Sequence, residues 1–477
     1  MKKAEEFKPI IKFLSSTIVM IVLVVMFWLF WMKYYSDNIW VPFYRKGNWL
    51  LVALYSILLF FFVNTYGGFK VGYLKKGEVI FSQILSILCL NIITYIQICL
   101  LDHHFISAMP LLFLMMVQCI CITLWANVFD IIYAKLFPPR KMILIYGEKQ
   151  TFGLKEKIDT RDDKYDICET INVQYGLDFV YDKMKEYEAV IIGDIPSQVR
   201  NQIMKYSFEN SIRTYMLPKI SDIILRGSDD IHLFDSPLLL ARNSGLTFEQ
   251  KAIKRIIDII ISLIMIALTS PFMLIVAICI KLYDGGNVFY KQTRLTTNGK
   301  KFEIYKFRSM VMNAEKDGIA RLSMEGDSRI TPVGRVIRAT RLDELPQLFN
   351  IIKGDMSLVG PRPERPQIVE EYKESMPEFD CRLKVKAGLT GYAQIYGKYN
   401  TTPYDKLKLD LMYIQNYSFR LDLKLILMTL KVIFMKESTE GVAEGQITAT
   451  ADSEIYNDEL SKEELHFIAG KKKPDGK

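Results

Sequence analysis

The chain has 477 residues, enough for two or three domains, and half of them are hydrophobic. Its formal net charge of +8 at pH 7 favours anionic partners such as phosphates, nucleotides and anionic lipid headgroups. No Lys/Arg tract is interleaved with aromatic residues, so we expect no nucleic-acid partner. The seven cysteines lack metal-ligand spacing and there are only four histidines, which disfavours a structural zinc and a histidine-based active site.

Four apolar segments before about Phe137 each approach or exceed the roughly 20 residues needed to cross a bilayer. They begin at "PIIKFLSS", "NWLLVALY", "VIFSQILS" and "ISAMPLLF". The first is too long for a signal peptide, lacks a small-residue cleavage site and is followed by three further spans. Lys and Arg concentrate before the first span, between the second and third, and after the fourth. This predicts a four-helix membrane domain over 1–137 with both ends in the cytoplasm.

The next region, 138–248, alternates between short apolar runs and polar helical stretches. "KMILIY", "EAVIIG" and "RTYMLP" are typical of strands, so the pattern predicts a small α/β domain with a parallel sheet. Its first turn contains Gly147 but no G-x-G-x-x-G, so we predict no bound dinucleotide. A structural or regulatory role is the expectation.

The segment 255–282 is long enough to span a membrane, but Ser270 and Pro271 lie at its middle. Proline cannot donate a hydrogen bond to the carbonyl of Ala267, so the helix must bend. The segment alone fits either a kinked fifth span or a hairpin that returns within one leaflet. A fifth span would put everything after Lys281 outside the cell, so a cytosolic substrate for the later region requires the hairpin. Its open backbone would then need a local partner, for example Ser270.

An adjacent acidic pair opens the stretch "DELPQLFNIIKG". The apolar residues recur with helical spacing, which predicts one helix with Asp343 and Glu344 at its N-terminus. Pro346 is tolerated in a first turn, and Gly354 is a typical end. Taken alone, the pair is most simply a helix cap.

Cationic segments surround this pair. Arginine forks suit phosphate oxygens, and a carboxylate pair suits Mg²⁺. Together they indicate phosphoryl transfer from a nucleotide, with an aspartate as the nucleophile because it is already ionised at neutral pH. The segments are a short helix "TPVGRVIRATR" with Arg335, Arg338 and Arg341, a proline-framed loop "GPRPERP" with Arg362 and Arg365, and a strand-like "KKFEIYKFRSM" with Lys306 and Arg308.

After the "SP" break, the motifs "KFRSM", "GRVIRATRLDELPQLFNIIKGDMSLVGPRPE", "GLTGYAQIYG" and "DLMYIQNYSFRLDLKLI" follow in this order. They closely resemble the bacterial sugar transferases, the monotopic type of polyprenyl-phosphate sugar-1-phosphate transferase. The N-terminal half resembles the long form that initiates exopolysaccharide, capsule or O-antigen synthesis. The implied fold is a membrane α-helical bundle, a Rossmann-like α/β domain, and a mixed α/β, mostly helical catalytic domain over 249–436 with a re-entrant helical hairpin at 255–282. The charged tail, 437–477, is expected to be disordered.

The resemblance implies an undecaprenyl-phosphate glycosyl-1-phosphate transferase. Such a phosphoglycosyl transferase moves sugar-1-phosphate from a UDP-sugar to undecaprenyl phosphate and releases UMP, through an aspartyl phosphosugar intermediate. Mg²⁺ is the implied cofactor. The implied location is the bacterial inner membrane, with the catalytic and α/β domains cytoplasmic; homo-oligomerisation is left open. The sugar and the polymer cannot be read from the residues, although the long form leans towards a hexose.

The resemblance also implies the roles of individual residues. Asp343 matches the nucleophile and Glu344 its partner, and both are expected at the metal. Arg341 stands where the family commonly has a small residue such as Ser, and we expect little consequence. The other matched positions are the substrate- and phosphate-binding Lys306, Arg308, Arg338 and Arg362 and the hairpin break at Ser270 and Pro271.

Two other classes of protein fit parts of this sequence. A polytopic sugar-phosphate transferase could use Asp162-Asp163 and Asp229-Asp230, but that class has about ten spans, twice the number found here. A membrane receptor or transporter could sense a nucleotide with the α/β region. However, few ionisable residues lie mid-span, and sensing does not explain the arginines around the acidic pair.

Overall fold

The computed structural model describes residues 5–43, 46–147, 152–241, 245–312, 314, 327–397 and 401–433. The expected disordered tail, 437–477, lies outside these residues. The chain divides into two compact units, with the division between Leu217 and Pro218. The domain boundaries at 137/138 and 248/249 stay predictions.

The first unit opens with four long helices: α1 Lys8–Tyr34, α2 Lys46–Tyr66, α3 Lys76–Asp102 and α4 Met109–Leu136. Each is long and apolar enough to cross a membrane, as the hydropathy pattern predicts. In α1 the buried side chains recur every four residues from Ser15 to Trp31, which places one stripe against the neighbouring helices.

Three buried polar side chains join α2, α3 and α4. Gln118 Nε2 donates to Tyr55 Oη at 3.0 Å, and Asn91 Nδ2 donates to Gln118 Oε1 at 3.1 Å. Tyr55 Oη donates in turn to Asn91 Oδ1 at 3.3 Å. Hydrogen bonds of this kind hold apolar helices together where burial of apolar surface gives no preference for one packing.

A parallel four-stranded sheet follows in the same unit, in the order β2–β1–β3–β4. The three runs predicted as strands correspond to β1, β3 and β4, whereas β2 was not predicted. Its residues alternate in burial at the sheet edge, so it lacks the continuous apolar run of β1 and β3. The elements are β1 Arg140–Tyr146, α5 Phe152–Asp159, β2 Tyr165–Asn172, α6 Leu177–Met184, β3 Ala189–Ile192, α7 Ser197–Glu209 and β4 Arg213–Met216.

The second unit is mixed α/β and mostly helical, as predicted. Its strands form three separate pairs: β5–β6 and β7–β8 are antiparallel, and β9–β10 is parallel. The elements are α8 Ile220–Arg226, β5 Asp229–Leu233, β6 Ser236–Leu240, α9 Phe248–Asp284, β7 Phe289–Leu295, β8 Lys301–Phe307, α10 Pro332–Ala339, α11 Gln347–Lys353, β9 Ser357–Val359, α12 Pro366–Ser375, β10 Gly388–Thr390, α13 Tyr392–Tyr396, α14 Pro403–Gln415 and α15 Phe419–Ile433.

Helix α9 has 37 residues and contains Pro271. The hydroxyl of Ser270 donates to the carbonyl of Ala267 at 3.0 Å. This is the carbonyl that Pro271 leaves without its usual backbone donor. Ser270 is therefore the local partner that was expected for this carbonyl.

Both arms of α9 pack on the same unit. Before the break, Ile261 and Met265 pack against the main apolar core of this unit. After the break, Met273 and Val276 pack in a second cluster with Phe307 of β8.

The amphipathic stretch near the end of the described chain is two helices, α14 and α15. Leu407 and Leu411 of α14 and Leu425 of α15 are buried in the main core. The sequence pattern of this stretch fits either a helix in the lipid headgroup region or an amphipathic core helix, and core packing describes the buried faces of both helices.

Candidate active site

The acidic pair lies in a 3₁₀ turn, Leu342–Glu344, ahead of α11. The backbone of Arg341, just before the turn, is left-handed with φ 57°, and Pro346 stands directly before α11. The predicted single helix is therefore wrong at its start, because Pro346 has no N–H to continue helical hydrogen bonding. Its end is confirmed, since Gly354 terminates α11 with φ 98°. The residues at the N-cap positions of the two elements are Arg341 and Pro346, and the acidic pair lies in the first turn of the 3₁₀ element, where negative charge is favoured, so the capping interpretation of the pair stays a prediction.

Glu344 is surrounded by three cations. Its Oε1 accepts hydrogen bonds from Lys306 Nζ at 3.0 Å and from Arg362 Nη2 at 3.1 Å, and its Oε2 lies 3.9 Å from Arg341 Nη1. Burial alone would raise the pKa of Glu344, but Lys306, Arg362 and Arg341 together hold this pKa far below its usual value. Glu344 is therefore a fixed negative charge that gathers cations from three separate segments.

Asp343 is placed differently from its neighbour. No hydrogen bond or ion pair to its carboxylate is found among the described residues. Burial and then the charge of Glu344 raise the pKa of Asp343, against the attraction of Lys306, Arg338 and Arg341. Its oxygens remain free to bind another group, and a raised pKa makes the ionised form more basic than an ordinary carboxylate.

Lys306 reaches Glu344 because of how β8 packs. Phe302 and Ile304 on this strand face the core, and strand alternation places Lys306 on the same face one step further along. The buried side chain of Asn350 on α11 accepts from the backbone N–H of Tyr305 at 2.9 Å and donates to the carbonyl of Glu303 at 2.7 Å. Asn350 thus ties the strand that carries Lys306 to the helix that follows Glu344.

Arg308 is not among the partners of Glu344. Its guanidinium pairs with both carboxylate oxygens of Asp284 at the end of α9, and its Nε donates to the carbonyl of Asn287 at 2.7 Å. The Asp284 carboxylate raises the pKa of Arg308. Substrate binding by Arg308 stays a prediction. The contacts of Arg308 with Asp284 and Asn287 fix the chain where it leaves α9.

Arg338 lies in the last turn of α10, half-buried, and its charge lowers the pKa of Asp343. Thr331 begins this helix by accepting the N–H of Gly334 at 2.9 Å. Gly334 is required there, because a Cβ would lie 1.9 Å from the carbonyl oxygen of Ser309. The helix is thereby held close to the end of β8.

The loop that carries Arg362 is fixed through its backbone. The N–H of Gly360 donates to Thr390 O, and the N–H of Gly388 donates to Pro361 O, both at 2.9 Å. A Cβ on Gly388 would lie 2.1 Å from the nitrogen of Gly360, so only glycine permits this approach. The "GLTG" motif therefore packs against the arginine loop.

The buried Arg382 and the partly exposed Arg294 also hold this loop. Arg382 Nη2 donates to the carbonyl of Arg362 at 2.9 Å, while its Nε donates to Asp410 at 2.9 Å. Arg294 Nη1 donates to the carbonyl of Pro363 at 3.2 Å, and burial lowers the pKa of Arg294 to about 10. Burial raises the pKa of Asp410 to about 6, although Arg382 opposes this.

The family model for bacterial sugar transferases matches residues 249–436. An uncharacterized sugar transferase of Bacillus subtilis, EpsL, is 37% identical over 203 residues, a match that covers 42% of this chain and 98% of that relative. The chain belongs to the bacterial sugar transferase family.

Other relatives of this sugar transferase carry more specific names. The UDP-N-acetylgalactosamine-undecaprenyl-phosphate N-acetylgalactosaminephosphotransferase of Aeromonas hydrophila is 44% identical over 184 residues, covering 38% of this chain and 43% of the relative. The UDP-glucose:undecaprenyl-phosphate glucose-1-phosphate transferase of Klebsiella pneumoniae is 34% identical over 267 residues, covering 55% and 56%. The chain thus spans about half the length of these curated relatives.

In this sugar transferase the acidic pair fits a magnesium ion that is held partly by substrate. No group of three or more His, Cys, Asp or Glu side chains is gathered among the described residues. Mg²⁺ commonly uses one or two carboxylates and takes its remaining ligands from phosphate and water. The Asp343 carboxylate and the Oε2 atom of Glu344, which lies 3.9 Å from Arg341 Nη1, are the candidate donors.

Glu344, Lys306 and Arg362 were predicted at one site and lie together, whereas the residues that position them were not predicted. Asn350 had a local signal, because a lone polar residue on an otherwise apolar helix face often has a buried partner. Arg382 and Asp410 are distant in sequence and had no local signal.

Proposed function

We propose that this chain transfers a sugar-1-phosphate from a UDP-sugar to undecaprenyl phosphate, releasing UMP and leaving the sugar on a diphosphate-linked lipid. The observation that carries the proposal is the contrast within the acidic pair: Glu344 is paired with three cations, whereas no described residue pairs with the carboxylate of Asp343. The names of the relatives from Aeromonas and Klebsiella support this reaction class.

The reaction proceeds in two displacements. An oxygen of Asp343 attacks the β-phosphorus of the UDP-sugar, the bond from that phosphorus to the bridging oxygen breaks, and UMP leaves. This forms an acyl phosphate that carries the sugar. A phosphate oxygen of undecaprenyl phosphate then attacks the same phosphorus, and the carboxylate of Asp343 is released.

The cations of the site stabilise charge on the transferring group. Arg362 is the most exposed partner of Glu344, with 43% of its side chain accessible, so its guanidinium can also reach a phosphate. Lys306 and Arg338 add positive charge around Asp343. When bound, Mg²⁺ would be held by Asp343 and Glu344 and would neutralise phosphate charge.

The proposed location is the inner face of the bacterial inner membrane, with α9 as a re-entrant hairpin. Arg255 before the break donates to carbonyls at the end of α11, while Val276 after the break packs beside Phe307 of β8. A helix whose two arms contact one soluble unit is more easily placed with both ends on one side of the membrane. The presence of Pro271 inside α9 and the hydrogen bond from the Ser270 hydroxyl to the Ala267 carbonyl support the same arrangement.

We also propose that the sheet of the first unit is a Rossmann-like domain without a bound dinucleotide. The order β2–β1–β3–β4 is the flavodoxin-like doubly wound order 2-1-3-4-5 without its last strand. A polytopic transferase is disfavoured, because only five described helices are long and apolar enough to span. Asp163, from one of its candidate pairs, forms an ion pair with Arg161 at 2.8 Å.

The direct test incubates the detergent-purified chain with undecaprenyl phosphate, Mg²⁺ and a panel of UDP-sugars, and measures UMP. We expect one sugar to give UMP and Asp343→Asn to lose the activity. Omitting the lipid acceptor should leave a sugar phosphate on the peptide that contains Asp343, detected by mass spectrometry. UMP release from no donor, or full activity of Asp343→Asn, would overturn the proposal.

Topology is tested separately by labelling single cysteines in a background without native cysteines. Positions 281 and 294 should both be labelled from the cytoplasmic side. Labelling from outside the cell would exclude the hairpin, and it would also place the candidate site on the side away from a cytosolic UDP-sugar.

A further inference from the structure

One turn near the start of α9 contacts both segments that carry the candidate site. Arg255 Nη2 donates to the carbonyl of Ile352 at 2.6 Å, and its Nη1 donates to the carbonyl of Ile351. These carbonyls belong to the last turn of α11, where Ile351 O also accepts the N–H of Gly354 at 3.0 Å and Ile352 O lies beyond the helical pattern. Arg255 therefore fixes the far end of the helix that begins just after Glu344.

The same turn also holds the strand that leads to the arginine loop. Asp258, which is 4% exposed, accepts the backbone N–H of Leu358 in β9 at 3.0 Å. Leu358 stands two residues before Gly360 and four before Arg362. The buried carboxylate of Asp258 on α9 thus fixes the position of β9, the strand that leads into the loop carrying Arg362.

A third contact fixes the turn itself. Lys254 forms a buried ion pair with Asp422 of α15. Tyr413 of α14 lies between Asp422 Oδ1, at 2.8 Å, and the carbonyl of Val359, at 3.3 Å. Lys254, Asp258 and Asp422 line an apolar groove of about 240 Å³ between α9 and α15, where a lost partner would leave a polar group poorly solvated.

We propose that the turn Lys254–Asp258 is a positioning element that sets the separation between the acidic pair and Arg362. The inference rests on the proposed function, because the separation matters only if both sides act on one phosphosugar. Arg255 fixes the α11 side and Asp258 fixes the β9 side, so the rigid turn between them defines the distance. Displacements of about 1 Å in such a constellation can cost about 100-fold in rate.

The test compares two substitutions at Asp258 with a control on the same helix face. Asp258→Asn keeps an oxygen that can accept the Leu358 N–H, whereas Asp258→Leu removes it at similar volume. Ser262→Ala is the matched control: Ser262 lies one turn further on, is buried, and makes no hydrogen bond through its hydroxyl to any described group. With the UDP-sugar found active in the panel, we expect Asp258→Leu to lose about tenfold or more in kcat/KM, and Asp258→Asn and Ser262→Ala to stay near the parent.

A double-mutant cycle separates positioning from general loss of stability. If Asp258 acts through Arg362, then Asp258→Leu should cost less than about threefold in an Arg362→Ala background. If the two losses in kcat/KM multiply in the double variant, the inference is overturned. It is also overturned if Asp258→Leu is as active as the parent. If Asp258→Leu fails to fold, Arg255→Met enters the same cycle, with Arg255→Lys as its conservative partner, and the same outcomes decide.

A distance measurement keeps this inference separate from the proposed function. Spin labels at the exposed positions Phe349 on α11 and Gln367 on α12 report the separation by pulsed electron paramagnetic resonance. Asp258→Leu should broaden or shift that distance and Ser262→Ala should not. An unchanged distance refutes the positioning role even if the chain releases UMP. A changed distance without UMP release supports the positioning element and refutes the proposed function.

Discussion

Replacing Lys306 with methionine tests the electrostatics of the candidate site most directly. Lys306 Nζ lies 3.0 Å from Glu344 Oε1, and their side chains are 20% and 13% exposed. At an effective dielectric constant of about 20, the attraction across this distance is about 5–6 kcal/mol before desolvation is considered. Arg362 and Arg341 remain beside Glu344, so we expect a net loss of about 2 kcal/mol, typical of a hydrogen bond to a charged group.

If that interaction persists in the transition state, about 2 kcal/mol corresponds to about 30-fold in kcat/KM. The pH profile should change as well. Lys306 is the first of the cations that lower the pKa of Asp343, against burial and the charge of Glu344, which raise it. Its removal raises this pKa further, and because Asp343 must be ionised to attack, activity on the acidic side should be lost at a higher pH than in the parent.

The assay is UMP release from pH 5 to 9, with thermal unfolding recorded in the same detergent. Lys301→Met is the control, since Lys301 begins the same strand and is exposed. Activity of Lys306→Met within about twofold of the parent, together with an unshifted acidic limb, would refute this account of the site.

Three further results are expected. Pro271→Ala restores a backbone donor at the break in α9, and we expect UMP release to fall about tenfold or more as the arms straighten; full activity would contradict the hairpin. Asp284→Asn should impair UMP release as much as Arg308→Met, and the double variant no further, because the two side chains pair. An unimpaired Asp284→Asn would instead favour direct substrate binding by Arg308. Gly388→Ala puts a Cβ 2.1 Å from a backbone nitrogen of the arginine loop and should lower the free energy of unfolding by about 1–3 kcal/mol. The control Gly77→Ala meets open space, and equal unfolding temperatures for both would refute the packing argument.

The long apolar helices and the strands β1, β3, β4 and β8 could be predicted because their signals are local. The periodicity of β8 and the apolar runs of β1 and β3 follow directly from the residues. The start of α11 was predicted wrongly. Because proline is tolerated in the first turn of a helix, the predicted helix began at Asp343, before Pro346, whereas α11 begins after it. The edge strand β2 has no continuous apolar run and was also missed.

The site could be predicted as far as charge and motif carry it. Glu344, Lys306 and Arg362 were expected together and lie together. Arg341 was expected to matter little, yet its guanidinium lies 3.9 Å from Glu344. The partner of Arg308 could not be anticipated, because Asp284 reaches it only through the folding of α9 against β8.

The side chain of Asn350 has a consequence for solubility. Its amide binds the Tyr305 N–H and the Glu303 carbonyl, the two groups that a further strand would use to join β8. A two-stranded ribbon exposes such groups to any extended chain nearby, and unprotected edges promote aggregation. The residue that holds Lys306 near Glu344 therefore also closes this edge to strand addition, so Asn350→Ala should give a protein that is both less active and more prone to aggregate.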